Sequence, residues 1–495
     1  METAEAAPGI ELITDRHDVL IGGRWVGSSG TDTFDVVDSW TERPVATVRA
    51  ATVADVESAV AAARSAFDRG EWASRTYGER ASVLDDIARR LESRMDEMVV
   101  CGMVEVGSPI TISRRIQQGA VDLFRAVAAQ ARAFEPDGEL VRADGGRSRI
   151  RREPTGVVAA IIPWNGPLAT AAFKLAPALA AGCAVVLKSS PEAPLIPSIL
   201  ADVLADLTAE RVLPEGLVSV LCAGREASEA LVAHPEVDHV TFTGSTDVGR
   251  RIMAVASERI ARVSLELGGK SAAVVLDDAD LDVVAASLPM GGCGSSGQAC
   301  IALTRILVSR RRHDELVEKL TAAFAALPMG DPSDPSVLLG PLAGGRHRAR
   351  VESYIESAVQ DGATVLVGGG RPAGLPHGYF VEATLLDNVR NDMRVAREEI
   401  FGPVVSIITY EDEDDAVAIA NDSIYGLYGA VFTVDDEYGY EVAQRIRSGV
   451  VSVNAAIRDF TLPFGGYKQS GIGREGGRAG LEEFHEIKTV HFPVR

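Results

Sequence analysis

Five short, continuously apolar runs lie in the middle of the chain, and they restrict its fold more than any other feature. They are 157–162 (VVAAII), 184–187 (AVVL), 217–221 (LVSVL), 239–242 (HVTF) and 272–276 (AAVVL). Each is rich in β-branched residues, and helical patterns separate them. Runs that stay apolar instead of alternating suit parallel strands covered on both faces. The order β-α-β-α-β predicts an α/β fold with a doubly wound sheet, whose ligands sit at the carboxyl ends of the strands.

A chain of 495 residues exceeds one core, so two or more domains are expected. Hydrophobic residues at 46% and charged residues at 24% give a globular balance. Lys and Arg number 49 against 70 Asp and Glu, a net charge of -21. Such a surface repels phosphate backbones and anionic lipid, which argues against nucleic acid or a membrane as partner. The stretch 157–188 is very apolar, but Pro163, Pro167, Lys174 and Pro177 interrupt it. No run reaches the roughly 18 residues of a spanning helix, so a buried strand and helix are expected. Cys101, Cys183, Cys222, Cys293 and Cys300 form no C-x-x-C pair. This scattered, odd set argues against a disulfide framework and a metal site, and fits a cytoplasmic protein. The first residues, METAEAAPGIELITDRHD, are acidic and lack the apolar core of a secretory signal.

Toward the N-terminus, Thr52 and Asp55 form a capping pair, after which Val56, Val60, Ala63 and Phe67 share one helical face. A second helix is expected over about 79–100, with Leu84, Ile87, Leu91, Met95 and Met98 as its apolar stripe. The polar segment 135–151, with its DGG turn, reads as a projecting β-hairpin. Residues 482–495 read as a strand paired outside the main sheets. Neither has a core of its own, so both are candidates for an oligomer interface.

Several motifs carry chemistry. Gly471, Gly473 and Gly476 spell G-x-G-x-x-G, but after a turn-rich segment rather than a strand, so a tight loop is expected there. The segment Phe242, Thr243, Gly244, Ser245, Thr246, Asp247, Val248, Gly249 follows the run HVTF and leads into a helix. Small residues at such a turn admit a pyrophosphate to the N–H groups of the helix start; a simple helix cap is the other reading. Cys300 lies in a Gly/Ser-rich stretch, GGCGSSGQAC, and is either a nucleophile or a buried hydrophobe. Glu266, between two leucines and just before a run, is either a base with a raised pKa or half of a salt bridge. Asn165 ends the run VVAAII and is either an oxyanion donor or a turn cap.

Taken together, the motifs resemble the aldehyde dehydrogenase superfamily over nearly the whole length. The matching pieces occur in family order: IIPWNGPL (161–168), KLAPALAAG (174–182), VLK (186–188), FTGSTDVG (242–249), LELGGK (265–270), GQAC (297–300), EEIFGPV (398–404) and PFGGYKQSGIGRE (463–475). The resemblance implies a Rossmann-type cofactor domain (1–134 and 152–265), an α/β catalytic domain (266–465) and a small β oligomerisation element (135–151 and 476–495). It also implies oxidation of a small aldehyde to a carboxylic acid with NAD, or NADP, through a cysteine thioester. Cys300 matches the nucleophile, Glu266 the general base and Asn165 the oxyanion amide. Lys174 and Glu475 match positions implicated in proton movement. Lys188 resembles the residue that holds the adenosine ribose, and Gly244 and Ser245 the pyrophosphate contacts. Glu399 resembles the nicotinamide-ribose carboxylate, with Phe401 beside it. Ile161, Ile162, Pro163, Trp164, Ser190, Glu192, Gly224, Phe242, Thr243, Val248, Gly249 and Leu267 complete the implied cofactor contacts. A homodimer or homotetramer follows by the same resemblance.

The chain also departs from the family pattern. After the lysine, the family usually reads proline, serine or alanine, then glutamate; here Ser189, Ser190 and Pro191 precede Glu192. Glu192 is then the substitute for the ribose-binding carboxylate, and without it a 2′-phosphate would be rejected less strongly. Gly166 stands where many members carry an aromatic residue, and Cys183 where many carry Asn. Residues 455–462 match the lining of the substrate tunnel, where Ala455, Ala456 and Gly166 imply an open passage. Arg458 there either attracts an anionic substrate or lies on the surface. Relatives that pass the acyl group to coenzyme A generally lack the base, so Glu266 favours hydrolysis.

Overall fold

The computed structural model describes residues 9–457, 459 and 461–494. The expectations placed on Arg458 and on residues 1–8 lie outside them.

Two large sheets organise the chain. The first has eight strands in the order Gly471–Ile472, Arg262–Glu266, His239–Thr243, Val157–Ile161, Ala184–Ser189, Val218–Cys222, Asp18–Ile21, Arg24–Gly27. Pairing is parallel from Arg262–Glu266 through Val218–Cys222 and antiparallel at both margins. The chain winds outward from Val157–Ile161 to Val218–Cys222 and then returns to the other side with His239–Thr243. That reversal makes the crevice at the carboxyl ends of these strands the place where a ligand binds. The second sheet has seven strands, in the order Thr364–Val367, Thr384–Asp387, Val404–Tyr410, Leu303–Ser309, Ser271–Val275, Tyr428–Phe432, Val450–Val453. Only its Thr364–Val367 edge pairs antiparallel.

Four of the five apolar runs lie in the first sheet. The fifth, 272–276, is instead an interior strand of the second sheet, Ser271–Val275. The strand Arg262–Glu266 (RVSLE) was not legible, because its polar residues break any continuous apolar run. It pairs in parallel register with His239–Thr243, from His239 opposite Arg262 to Thr243 opposite Glu266. Glu266 therefore closes a strand of the first sheet as well as preceding one of the second.

Between strands, Pro167 opens the helix Pro167–Ala181 at a position where its missing N–H costs nothing, and Gly182 ends it at φ 107°. The segment 157–188 is thus a buried strand, helix and strand, and among the described residues no helix is long and apolar enough to cross a membrane. The helix Val53–Arg69 starts with the expected capping box: Asp55 N donates to Thr52 Oγ1 at 3.2 Å, and Thr52 N donates to the Asp55 carboxylate at 2.8 Å. Val56, Val60 and Ala63 are buried and Phe67 half-buried.

The helix expected over 79–100 is two helices, Tyr77–Glu92 and Met95–Val106. At the break, Ser93 Oγ donates to the Arg90 carbonyl at 2.7 Å. Arg94 there bonds Glu97 at 2.6 Å and Asp202 at 2.9 Å. Local side-chain bonds of this kind compete with helix continuation. The apolar stripe is buried across the break.

The hairpin is present as Asp137–Val141 and Arg147–Pro154, with Gly145 at φ 85° in its turn. His485–His491 pairs antiparallel along Arg147–Pro154, giving a third sheet of three strands. Its Val141 and Ile487 side chains are 75% and 67% exposed.

Candidate active site

A cleft of about 760 Å³ opens at the carboxyl ends of the first sheet. Ile161, Ile162, Pro163 and Trp164 line it after one strand, Lys188, Ser190 and Glu192 after the next, and Gly224 after the third. Phe242, Thr243, Gly244, Ser245 and Val248 form the opposite wall. Ser245 caps the helix Thr246–Ser257, its Oγ accepting from Val248 N at 3.4 Å, so free N–H groups and the positive helix end face the cleft. A Cβ on Gly244 would sit 2.4 Å from the Phe242 ring, and one on Gly249 2.6 Å from Leu267. A side chain at either position would have to displace the Phe242 ring or Leu267. Gly249 and Leu267 support the wall from behind and do not line the cleft.

The cleft also holds polar atoms without a protein partner. Thr243 Oγ1 is buried and unbonded among the described residues. Lys188 is 8% exposed, and burial holds its amine below the usual lysine range. Ser190 Oγ donates to the Glu192 carboxylate, fixing that carboxylate beside Lys188 at the cleft wall. The donors, the helix start and the apolar faces of Ile161 and Val248 together fit a dinucleotide. Sequence reasoning missed Arg225, Glu229, Arg251 and Arg346, which also line the cleft. They lie on helix faces with no motif to mark them.

Sequence reasoning likewise missed Glu105, which is fully buried behind the cleft. One of its oxygens accepts from Leu195 N at 2.7 Å, at the start of the helix Leu195–Ala209 that follows Glu192. Burial pushes its carboxyl up to about 8.

Glu266, at its strand end, is 4% exposed, and neither carboxylate oxygen has a hydrogen-bond partner among the described residues. Burial, reinforced by the nearby Glu475 charge, holds its pKa well above the usual carboxylate range. The salt-bridge reading of Glu266 does not hold. Lys174 instead pairs with Glu475, Nζ to Oε1 at 2.5 Å, with a second bond to Thr241 Oγ1 at 3.2 Å. Both residues of this pair are buried.

The loop after Glu266 reaches two further groups. Gly269 N donates to Glu399 at 3.1 Å. A Cβ on Gly269 would lie 2.3 Å from the Cys300 carbonyl oxygen, so this backbone runs directly against the nucleophile turn. Burial raises Glu399 to about 7. Trp164 packs edge-on against Phe401, ring centroids 5.5 Å apart, and His347 Nε2 bonds the Phe401 carbonyl at 2.7 Å.

Cys300 is half-buried and follows an unusual turn. The helix Leu281–Cys293 ends there, and Ser295, Ser296 and Gly297 are all left-handed, at φ 54°, 54° and 70°. Asn165 reaches this turn: its Nδ2 donates to the Gln298 carbonyl at 3.0 Å, which leaves its second N–H for another acceptor. A small cavity beside it is lined by Asn165, Gly166, Ile116, Ser295 and Gln298. A larger cavity of about 510 Å³ shares Ile116 and Ser295 and continues past Arg115, Met290, Gly294 and Ala456. A Cβ on Gly166 would meet nothing within 4 Å, in keeping with an open passage. Of the expected tunnel segment, Ala456 lines this cavity.

The G-x-G-x-x-G match is a tight loop. Gly471 pairs antiparallel with Glu266 at the sheet margin, and Gly473 and Gly476 take φ 88° and 70°. Its use is structural: Ser470 Oγ donates to the Gly268 carbonyl at 2.7 Å and so supports the Glu266–Gly269 loop.

Known proteins resemble the chain over nearly its whole length. The sequence profile of the aldehyde dehydrogenase family matches residues 25–490. The chain is 41% identical to geranial dehydrogenase of Castellaniella defragrans over 481 residues, covering 97% of this chain and 99% of that protein. It is 41% identical to 3-succinoylsemialdehyde-pyridine dehydrogenase of a Pseudomonas species, covering 96% and 98%. In structure it matches an aldehyde dehydrogenase of Mycobacterium tuberculosis complexed with NAD+, at TM-score 0.94 and 43% identity, covering 97% and 99% of the two chains. Betaine aldehyde dehydrogenase of Staphylococcus aureus with NAD+ matches at TM-score 0.93 and 34% identity, covering 100% and 98%.

Proposed function

The chain belongs to the aldehyde dehydrogenase family, and from that premise we propose how its residues divide the work. The enzyme oxidises an aldehyde to a carboxylate with NAD+. The observation that carries the assignment of roles is the loop from Glu266 to Gly269. One end is the unpaired buried carboxylate, and the other runs against both Cys300 and Glu399.

The Cys300 sulfur adds to the aldehyde carbon and generates an oxyanion. The second N–H of Asn165 and the Cys300 backbone N–H donate to that oxygen, and one such donor is typically worth about 10²–10³ in rate. The chemistry that bound NAD+ supplies is hydride acceptance, which oxidises the Cys300 adduct to a thioester. Lys188, Ser190, Glu192, Gly244, Ser245, Glu399 and Phe401 hold the dinucleotide. Covalent capture divides one difficult oxidation into two easier steps.

Glu266 then takes a proton from water, which attacks the thioester and releases the acid. The burial that raises its pKa makes the ionised Glu266 carboxylate a stronger base. The proton it takes from water leaves through the buried Lys174–Glu475 pair beside it. The Glu192 charge at the cleft wall opposes a 2′-phosphate and selects NAD+ over NADP+. The division into domains 1–134 with 152–265, 266–465, and 135–151 with 476–495 follows these roles. The exposed three-stranded sheet serves self-association to a dimer or tetramer, and the enzyme works in the cytoplasm.

The test is an aldehyde panel run with NAD+ and NADP+, following nicotinamide absorbance and assaying the acid product. Reduced cofactor with NAD+ and stoichiometric acid are expected. No reduction with any aldehyde would contradict the activity, and acyl-CoA formed faster than acid would replace hydrolysis with transfer.

A further inference from the structure

Gln298 is 2% exposed and uses its whole side-chain amide. Its Nε2 donates to the Val106 carbonyl at 3.1 Å and to the Ser295 carbonyl at 3.4 Å, while its Oε1 accepts from Ala343 N at 2.9 Å. The opposite amide orientation would set donor against donor at Ala343, so the assignment is unambiguous. These partners belong to different parts of the molecule. Val106 ends the helix Met95–Val106, which packs in the first sheet's core. Ala343 precedes the helix Gly345–Gln360, which packs on the second sheet.

The two parts meet here along a tight backbone seam. A Cβ on Gly107 would lie 2.1 Å from the Pro341 oxygen, and one on Gly340 1.9 Å from the Gly107 oxygen. Ser296 Oγ adds a bond to the Gly340 carbonyl at 2.7 Å. The nucleophile turn is therefore fastened to the seam by side chains. It needs fastening, because the left-handed conformation is unfavourable for a non-glycine residue and Ser295 and Ser296 adopt it in succession. The Gln298 carbonyl, in turn, is the group that receives Asn165 Nδ2.

We infer that Gln298 is the positioning residue of the oxyanion site: its side chain locks the Cys300 turn to the seam between the two parts, and its carbonyl fixes the Asn165 amide so that the second N–H points at the reacting oxygen. Gln298 touches neither substrate nor cofactor. The inference rests on the reading of Asn165 as the oxyanion donor.

A double-mutant cycle separates this from a merely structural role. Gln298→Met keeps length and removes every side-chain hydrogen bond. The rate of the first-turnover burst of reduced nicotinamide is measured in Gln298→Met, Asn165→Ala and the double variant, alongside NAD+ Kd and thermal unfolding. The expected result is a burst at least tenfold slower in Gln298→Met, with NAD+ Kd within twofold of wild type. The double variant is expected to be no slower than Asn165→Ala alone. Losses that multiply in the double variant would overturn the inference while leaving Asn165 in its role. An unchanged burst in Asn165→Ala would bring down the oxyanion reading and this one with it. If Gln298→Met does not fold, Ala343→Pro, which deletes the N–H that Gln298 accepts, enters the same cycle with the same criteria.

Discussion

The cleft that takes the dinucleotide is walled by the ends of parallel strands and the start of one capped helix. The turn that carries Cys300 instead ends a helix, holds two left-handed serines, and depends on bonds to Val106, Gly340 and Ala343 far away in sequence. The cleft is thus made of local structure that forms wherever its strands form. The turn is made of long-range contacts that exist only once both sheets have assembled. Damage to the first is expected to appear as lost affinity, and damage to the second as lost rate.

The largest effect belongs to the turn. Asn165→Ala is expected to lower kcat by about 10²–10³ while leaving NAD+ Kd unchanged, as read by steady-state kinetics and direct cofactor titration. A matching rise in Kd would erase the distinction between the two regions. Gly244→Val tests the cleft. The new side chain displaces the Phe242 ring, so NAD+ Kd is expected to rise tenfold or more, with the single-turnover rate at saturating NAD+ within a few-fold of wild type. A slow single turnover despite saturation would show that the cleft wall also controls chemistry.

The smallest effect concerns the support behind the cleft. Burial raises Glu105 from its ordinary value of 4.5 to about 8 in the folded protein. Between those values the folded state holds a proton that the unfolded state has lost, so this group's contribution to stability falls as pH rises. Glu105→Gln is therefore expected to make the decline in thermal stability from about pH 5 to pH 8 shallower, without altering kcat. An equally steep decline would remove Glu105 as its source.

The contrast between cleft and turn also explains what the sequence disclosed. Strand, glycine turn and helix cap at 239–249 are contiguous, so FTGSTDVG could be read directly, and the structure sets it where a ligand is expected. The resemblance joins Asn165 to the Cys300 backbone as oxyanion donors, but the Gln298 carbonyl that links the two was not legible, because 133 positions separate Asn165 from Gln298. Glu266 was recognised as an unusual carboxylate, but its strand was missed because RVSLE carries too much polarity to resemble a buried run. Gln298 was seen only as part of GQAC, since nothing local distinguishes a glutamine that bonds across a seam. The split of 79–100 into two helices escaped for a related reason: the apolar stripe continues across a break made by the side chains of Ser93 and Arg94.

The central claim is that Cys300 captures the acyl group and Glu266 releases it. Glu266→Gln, mixed with aldehyde and NAD+ and sampled both by absorbance and by mass spectrometry of the intact and digested protein, tests it most directly. A burst approaching one reduced nicotinamide per subunit, near-zero turnover afterwards and the acyl mass on the peptide carrying Cys300 are expected. Undiminished steady-state turnover, or an acyl group on any other residue, would contradict it.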